Sequence, residues 1–516
     1  MYLHHYQINK EAFMPTSTIN LGSVNIGRGG KPSTPTSKEM PFHLLILGDF
    51  SAETESHQPF KPIEVNRDNF EEVFERLSPS LSLSFSNECL VFKELEHFEP
   101  DYLYDSLNIF SELKSLKRRL SNTDTFPSAA EEINKWANQE STTATKNQPT
   151  NSVTEVIQES GNLLDSLLAT TEKRQQSNNE ISPNDIAQRI IKNIIAPYIS
   201  PATNPKQPEY IKTTDAAIAE QMSQILHSEK FQSLESLWRG VYFLVRRLTT
   251  DSMLKIFIAD ISKEQLERDL EKDDVLTTEV YQKLIEPYNS VNSSKPWSVI
   301  FGHYQFKNSL KDIQLLNTLS SYAAECDASF VSGAASAFFG CKDIQDTPEY
   351  EQWNYPLSED VSAAWDLLRN SPQSQNLALG YPRFLLRLPY GTMGKSVECF
   401  EYEEMPSPAH NNFLWSNGGL AITYILAASY SEIQWQFRPG QFNEISNLPV
   451  HTYTDEHGDK ENYPCAEIVL TERAAEKIIA SGIVPSWSVR NADVVRVGPF
   501  VSAHSNSQII NGKWLA

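Results

Sequence analysis

The sequence is short of the residues and patterns that mark many classes of protein. It has five cysteines in 516 residues, an odd number without a C-x-x-C pair, so nothing supports a zinc finger, a redox motif or a disulfide framework. Scattered single cysteines are typical of small buried hydrophobes in a reducing compartment. The longest weakly polar run, Gly418–Ser429, is far shorter than the roughly 20 residues that cross a bilayer. We therefore expect no membrane insertion.

Positive charge is also scarce. Lysine and arginine number 44 against 66 aspartates and glutamates, which gives a formal net charge of −22. Nucleic acids and anionic membranes attract proteins through a positive field, so this balance argues against both as partners. The N-terminus has neither the basic stretch nor the apolar core of a secretory signal. These features predict a soluble, cytoplasmic protein.

Catalytic signatures are lacking too. The best phosphate-loop candidate, Gly27–Thr34, has Asn25 where the first glycine is needed and Pro32 where a magnesium-binding hydroxyl is needed. The adjacent acids Glu403 and Glu404 are typical of a solvated face, and no second carboxylate is fixed at a catalytic separation. There is no G-x-S-x-G motif and no cysteine in a nucleophile signature. We expect no enzyme activity, no catalytic residue, no cofactor and no metal site.

One polar stretch, HTYTDEHGD at His451–Asp459, contains two histidines and three acids. No ligand spacing imposes a metal site there. Glycine at position 458 is instead typical of a hairpin tip exposed to solvent. The stretch therefore predicts a β-hairpin.

Composition divides the chain into four segments. Residues 1–40 carry β-branched residues followed by Gly27–Pro32, which is typical of an extended arm. Residues 41–137 alternate short strands with amphipathic helices. Residues 138–184 have the Ser, Thr, Asn, Gln and Glu content of a polar linker. Residues 185–516 alternate strands with longer helices. We predict an α/β fold with two α/β domains, mixed sheets and an extended N-terminal arm.

Periodicity places individual elements within these segments. The apolar run His43–Leu47 predicts a buried strand. Ser228 is in position to cap the helix that carries Trp238. The run Trp297–Phe301 predicts another buried strand, which we expect to end at Gly302.

Both the arm and the linker contain segments suited to binding. Ile19, Val24 and Ile26 are β-branched residues of the arm, and a strand that leaves its domain must find a sheet edge, either its own or a neighbour's. In the linker, apolar residues recur at helical spacing between Val153 and Leu168. This pattern predicts an amphipathic helix that either docks on a partner or packs back on its own domain.

Two arginines, Arg383 and Arg387, lie four residues apart in the apolar stretch YPRFLLRLPYG. Guanidinium groups in such surroundings need carboxylate or carbonyl partners. This favours a structural buried ion pair over a ligand or interface anchor, since structural ion pairs often mimic sites. We group Trp238, Arg239, Arg383 and Arg387 as structural or interface anchors.

Longer motifs carry a family resemblance. LLILGDFSAE at Leu44–Glu53 and PIEVNRDNFEEVF at Pro62–Phe74 resemble the small subunit of the type VI secretion contractile sheath, the VipA or TssB family. SEKFQSLESLWRGVYFLVRR at Ser228–Arg247 and LALGYPRFLLRLPYG at Leu377–Gly391 resemble the large subunit, VipB or TssC. The chain thus resembles a fusion protein of the two subunits.

The resemblance implies a structural component of a sheath that winds around an inner tube and contracts, assembling by arm-strand exchange. The implied partners are other copies or other sheath subunits, the inner tube protein and the baseplate. Family large subunits continue further, so residues 185–516 are expected to lack the family's C-terminal region. Gly161–Gln175 resembles the large-subunit helix gripped by a ClpV-type unfoldase, which implies unfoldase binding by Leu163, Leu164 and Leu167. The alternative is a non-polymerising regulatory or adaptor protein that binds sheath subunits, baseplate or the ClpV unfoldase.

Overall fold

The computed structural model describes residues 40–52, 60–83, 88–141, 207–272, 274–289, 293, 295–345, 347, 349–454 and 457–514. Two groups of predicted binding residues lie outside these ranges. They are the arm residues Ile19, Val24 and Ile26 and the linker residues Leu163, Leu164 and Leu167. Both assignments therefore stay predictions.

The main feature of the described residues is a mixed sheet of nine strands, in the order β2-β5-β1-β6-β7-β8-β12-β13-β9. Two further sheets have two strands each, β3 with β4 and β10 with β11. The strands are β1 (Phe42–Gly48), β2 (Ile63–Val65), β3 (Ser80–Ser82), β4 (Cys89–Val91), β5 (Leu254–Asp260), β6 (Val299–Phe306), β7 (Ser329–Ala334), β8 (Leu377–Tyr381), β9 (Glu444–Ile445), β10 (Thr452–Thr454), β11 (Lys460–Asn462), β12 (Ile483–Ser488) and β13 (Val495–Val497).

Helices cover both faces of the large sheet. No helix in the described part of the chain is long and apolar enough to cross a membrane. The helices are α1 (Phe70–Leu77), α2 (Pro100–Ser106), α3 (Ser111–Ser121), α4 (Phe126–Ser141), α5 (Gln207–Leu226), α6 (Glu229–Arg247), α7 (Lys263–Leu270), α8 (Leu310–Glu325), α9 (Glu359–Arg369), α10 (Leu420–Ile433) and α11 (Glu472–Ala480).

Strand β1 lies between two strands that come more than 200 residues later. It pairs in parallel with β5 from Phe42↔Leu254 to Gly48↔Asp260, and in parallel with β6 on its other side. Strands of residues 41–137 and of residues 185–516 therefore form one sheet. The predicted α/β class with mixed sheets is confirmed, while the division into two domains at those boundaries stays a prediction.

The sequence of β1 explains its central position. All seven residues are buried, and a continuous apolar run is typical of a parallel strand covered on both faces. Leu44 and Ile46 belong to the core that contains α6 and α10, whereas Leu45 and Leu47 belong to the core that contains α8. Gly48 allows α6 to approach, because a Cβ there would lie 2.8 Å from Leu237 Cδ1.

Several local predictions can be compared with the structure. The strand predicted at His43–Leu47 is confirmed as β1. The hairpin predicted at His451–Asp459 is confirmed as β10 and β11, with Gly458 at a φ of +87°. The expected end of β6 at Gly302 is wrong, because the strand shifts register there and continues along β7 to Phe306. Ser228 occupies the N-cap position of α6, but its hydroxyl donates to the Ile225 carbonyl instead of capping the helix.

Candidate functional site

Helix α6 is the element that joins the two regions of the chain. We call its contacts with residues 41–137, together with the pairing of β1 with β5 and β6, the junction. Adjacent residues of a helix are separated by about 100° around its axis, so the side chains of Trp238 and Arg239 contact different parts of the structure. Trp238 faces the N-terminal region, and Arg239 faces the loop that follows β8.

Trp238 is fully buried among aromatic residues of the N-terminal region. Its ring centroid lies 4.2 Å from that of Phe74, 5.2 Å from Phe50 and 5.9 Å from Phe70. Its indole N–H donates to the Phe50 carbonyl over 3.1 Å, so the polar end of the ring is satisfied in the core. The sequence grouped Trp238 with possible interface anchors, and the structure places it inside the junction.

The same helix supplies one side of a buried charge cluster, made of Glu235, Arg239, Arg387 and Glu404. Residues 235 and 239 share a helix face, and the Arg239 Nε donates to Glu235 Oε1 over 2.7 Å. The Arg387 Nε donates to that same oxygen over 2.8 Å, and its Nη1 donates to Glu404 Oε2 over 2.8 Å. Two positive and two negative groups thus neutralise one another.

Tyr390 completes this cluster. Its ring lies 4.3 Å from the Arg387 guanidinium carbon, its hydroxyl accepts from Arg239 over 3.2 Å, and its backbone N–H donates to Glu404 over 2.7 Å. Burial opposes ionisation of Glu404, but Arg387, the nearby His227 imidazole and the Tyr390 backbone N–H outweigh it and lower the pKa of Glu404 to about 2. The carboxylate therefore stays charged at neutral pH and holds the loop against α6.

Arg383 belongs to a separate pair. Its Nη2 lies 2.5 Å from Glu467 Oε1, and that oxygen also lies 3.0 Å from His410 Nε2. Burial opposes ionisation of Glu467, while Arg383 and the His410 contact outweigh it and lower the pKa to about 2. The Arg383 side chain is 34% exposed, against 9% for Arg387. Water can therefore solvate the Arg383 charge in part, whereas the charge of Arg387 is stabilised mainly by its acidic partners.

Sequence reasoning missed the acidic partners of these arginines. The sequence predicted that Glu403 and Glu404 both belong to a solvated face. For Glu404 this prediction is wrong, because its side chain is buried in the cluster. Its neighbour Glu403 instead accepts from the hydroxyl and the backbone N–H of Thr392, on the exposed side. Glu235 sits within the apolar stripe of α6, and that placement is the signal that could have identified it.

Two aspartates that also connect the two regions were missed. Asp260, at the end of β5, accepts hydrogen bonds from the backbone N–H groups of Phe50 and Ser51 over 2.8 and 3.1 Å, and from the Ser51 hydroxyl over 2.6 Å. Asp101 accepts from the backbone of Cys399 over 2.9 Å. Each carboxylate from one region binds backbone of the other. An aspartate that directly follows an apolar strand is the signal for the first.

The chemistry of the junction is that of a rigid connection. The carboxylates of Asp260 and Asp101 accept backbone hydrogen bonds from the opposite region, and the aromatic rings around Trp238 are packed against one another. Within the described ranges, no group of three His, Cys, Asp or Glu side chains is arranged to hold a metal ion. These contacts keep the two regions in one fixed arrangement.

Comparison with known proteins now identifies the regions that the junction connects. The family model described as EvpB/VC_A0108, tail sheath N-terminal domain (VipB), matches residues 208–506, which is more than half of the chain. The model described as Type VI secretion system, VipA, VC_A0107 or Hcp2, matches residues 31–145. The chain therefore belongs to the VipB tail sheath family, and it carries a VipA-like region ahead of that match.

A curated relative agrees with this assignment. The chain is 30% identical over 302 residues to the type VI secretion system sheath protein TssC1 of Pseudomonas aeruginosa. The match covers 57% of this chain and 60% of the relative, so the chain spans less than two thirds of that protein's length. The resemblance to a fusion of VipA-like and VipB-like regions is confirmed.

Proposed function

We propose that this chain is a structural subunit of a type VI secretion contractile sheath in which the small and large halves are a single polypeptide. The observation that carries the proposal is the position of β1. This strand of the VipA-like region lies between β5 and β6 of the VipB-like region, so one chain contains a fully joined pair of halves.

The buried contacts between the halves support a role in transmitting force. Trp238 donates to Phe50 and Asp260 accepts from Phe50 and Ser51, so both contacts join residues about 190 to 210 positions apart in sequence. A contracting sheath transmits force through its subunits, and a single sheet shared by the two halves resists their separation. Fusion also fixes their ratio at one to one and raises their effective concentration.

The finer parts of the proposal concern partners. The subunit would assemble with copies of itself or with other sheath subunits, by exchange of the arm that carries Ile19, Val24 and Ile26. It would enclose an inner tube protein, meet the baseplate, and offer Leu163, Leu164 and Leu167 to a ClpV-type unfoldase. A structural sheath subunit needs no catalytic residue, and we propose none.

Negative-stain electron microscopy of the purified chain tests this function. The chain is imaged alone and after mixing with separate sheath subunits from the same organism. We expect tubes or cogwheel-shaped rings, or incorporation along sheaths built by the other subunits. Discrete particles that stay excluded from sheaths would contradict the proposal and favour the adaptor alternative.

A further inference from the structure

A buried histidine, His451, lies at the base of the hairpin formed by β10 and β11. The residue is 3% exposed, and its carbonyl accepts the N–H of Tyr463 over 2.7 Å, just before the ladder begins at Thr452. Its imidazole lies edge-on to the ring of Phe413, with centroids 5.5 Å apart. The ring of Tyr463 is stacked on the same Phe413 at 4.6 Å. These ring contacts hold the hairpin against the rest of the fold.

The imidazole of His451 lacks the partners that a buried polar group needs. Neither Nδ1 nor Nε2 has a hydrogen-bond partner in the part of the chain that the structure describes. A neutral imidazole carries one N–H donor and one acceptor, so both are left unsatisfied. Buried groups of this kind are rare in folded proteins because they are costly. His410 shows the contrasting arrangement, since its Nε2 lies 3.0 Å from Glu467 Oε1.

A proton would make the buried position of this ring still less favourable. An imidazolium has two N–H donors and a charge, and a buried charge without a partner is strongly destabilising. Two tyrosines and two carboxylates face the ring from the neighbouring segments, namely Tyr453, Tyr463, Glu403 and Glu404. The carboxylate of Glu403 already accepts from Thr392. That of Glu404 already accepts from Arg387. A proton on the ring would therefore gain no hydrogen-bonded countercharge.

The pH range in which this matters follows from the sign of the pKa shift. Burial lowers the pKa of His451 from its ordinary value of 6.5, and the charges of Glu403 and Glu404 offset this only in part. The neutral buried ring is thus fully compatible with the folded hairpin above about pH 6.5. As the pH falls below 6.5, protons bind the exposed ring more tightly than the buried one, and stability is lost. Glu404 keeps its charge in this range, since its pKa is about 2.

We propose that protonation of His451 releases the hairpin of β10 and β11 from Phe413, so that the hairpin is docked at neutral pH and undocked in mild acid. The hairpin has little else to hold it, because its ladder has three residue pairs and an isolated two-stranded hairpin is only marginally stable. Strand β11 also lines one side of a groove of about 700 Å³, opposite the turn between β12 and β13. Undocking would open that groove along the hairpin side.

Hydrogen–deuterium exchange of the full-length chain, read out by mass spectrometry of peptic peptides, tests the proposal. Exchange of the hairpin peptide is compared at about pH 7.5 and about pH 5.5, after correction for the intrinsic pH dependence of amide exchange. One titrating group changes an equilibrium by at most about tenfold per pH unit, so we expect protection of this peptide to fall by about three- to tenfold. Protection of the peptide that contains β1 should stay constant, which excludes global unfolding.

Three variants assign the effect to one side chain. His451→Phe and His451→Leu fill the same space with an apolar group that does not titrate. In both, the loss of protection between the two pH values should shrink to less than about twofold, and two replacements guard against a packing defect in either. His457→Gln is the matched control, because His457 lies in the same hairpin but is exposed. This control should respond to pH as the wild type does.

Two results would overturn the inference. In one, the wild-type hairpin is equally protected at both pH values, which would mean that the ring stays buried when the solution is acidified. In the other, His451→Phe and His451→Leu lose protection as strongly as the wild type, which would assign the pH response to another group. Neither result bears on sheath formation, which electron microscopy tests separately.

Discussion

The junction and the hairpin of β10 and β11 differ in how firmly their strands are held. At the junction, β1 is buried and pairs with β5 on one side and β6 on the other. Helix α6, which packs there through Trp238, also carries Glu235, the buried partner of Arg387. In the hairpin, the pairing that the structure describes for β11 is with β10 alone, over three residues. Buried pairing on both sides stabilises a strand strongly, whereas an isolated pair of short strands adds little stability.

This comparison predicts the largest loss of stability at the charge cluster. Arg387→Ala would leave Glu235 and Glu404 buried with fewer cationic partners, which typically costs about 3–5 kcal/mol of unfolding free energy. Urea unfolding followed by tryptophan fluorescence measures it. Arg383→Ala is the matched variant and should cost less, because Arg383 is the more exposed arginine. Equal losses of unfolding free energy in the two variants would contradict the expectation that the more buried arginine contributes more stability.

The second prediction concerns acid. Glu404 and Glu467 have pKa values lowered to about 2, against 4.5 for an ordinary glutamate, so their ionisation stabilises the folded state above about pH 4.5. That contribution should be lost as the pH falls from 4.5 towards 2. Urea midpoints measured across this range should decline in the wild type and decline less steeply in Glu404→Gln. An unchanged slope in the variant would contradict the assignment.

The smallest effect on stability is expected at Val469, which lies near the hairpin of β10 and β11. Val469→Ser should change the unfolding free energy by less than about 0.5 kcal/mol, because this side chain is 66% exposed. Thermal unfolding followed by circular dichroism measures that change. A large loss of stability would mean that Val469 belongs to the core and that the contrast between this surface and the junction is false.

Particular elements show how far the sequence could be interpreted. The apolar run of β1 and the glycine of the β10–β11 hairpin were enough to predict both elements, because a continuous apolar run and turn chemistry are local signals. The continuation of β6 past Gly302 was not predictable, since the pairing with β7 overrides the local break. The buried position of Glu404 was likewise hidden, because adjacent acids look alike in sequence whether or not a cation lies nearby.

The sequence by itself determined the α/β class, the need of Arg383 and Arg387 for carboxylate or carbonyl partners, and the resemblance to two sheath subunits in one chain. Only the tertiary structure decided that β1 lies between β5 and β6, and that Arg387 meets a glutamate 152 residues away. The physical reason is that hydrophobic periodicity is a property of residues close together in the sequence. The choice of partner depends on which distant surfaces the sheet brings together.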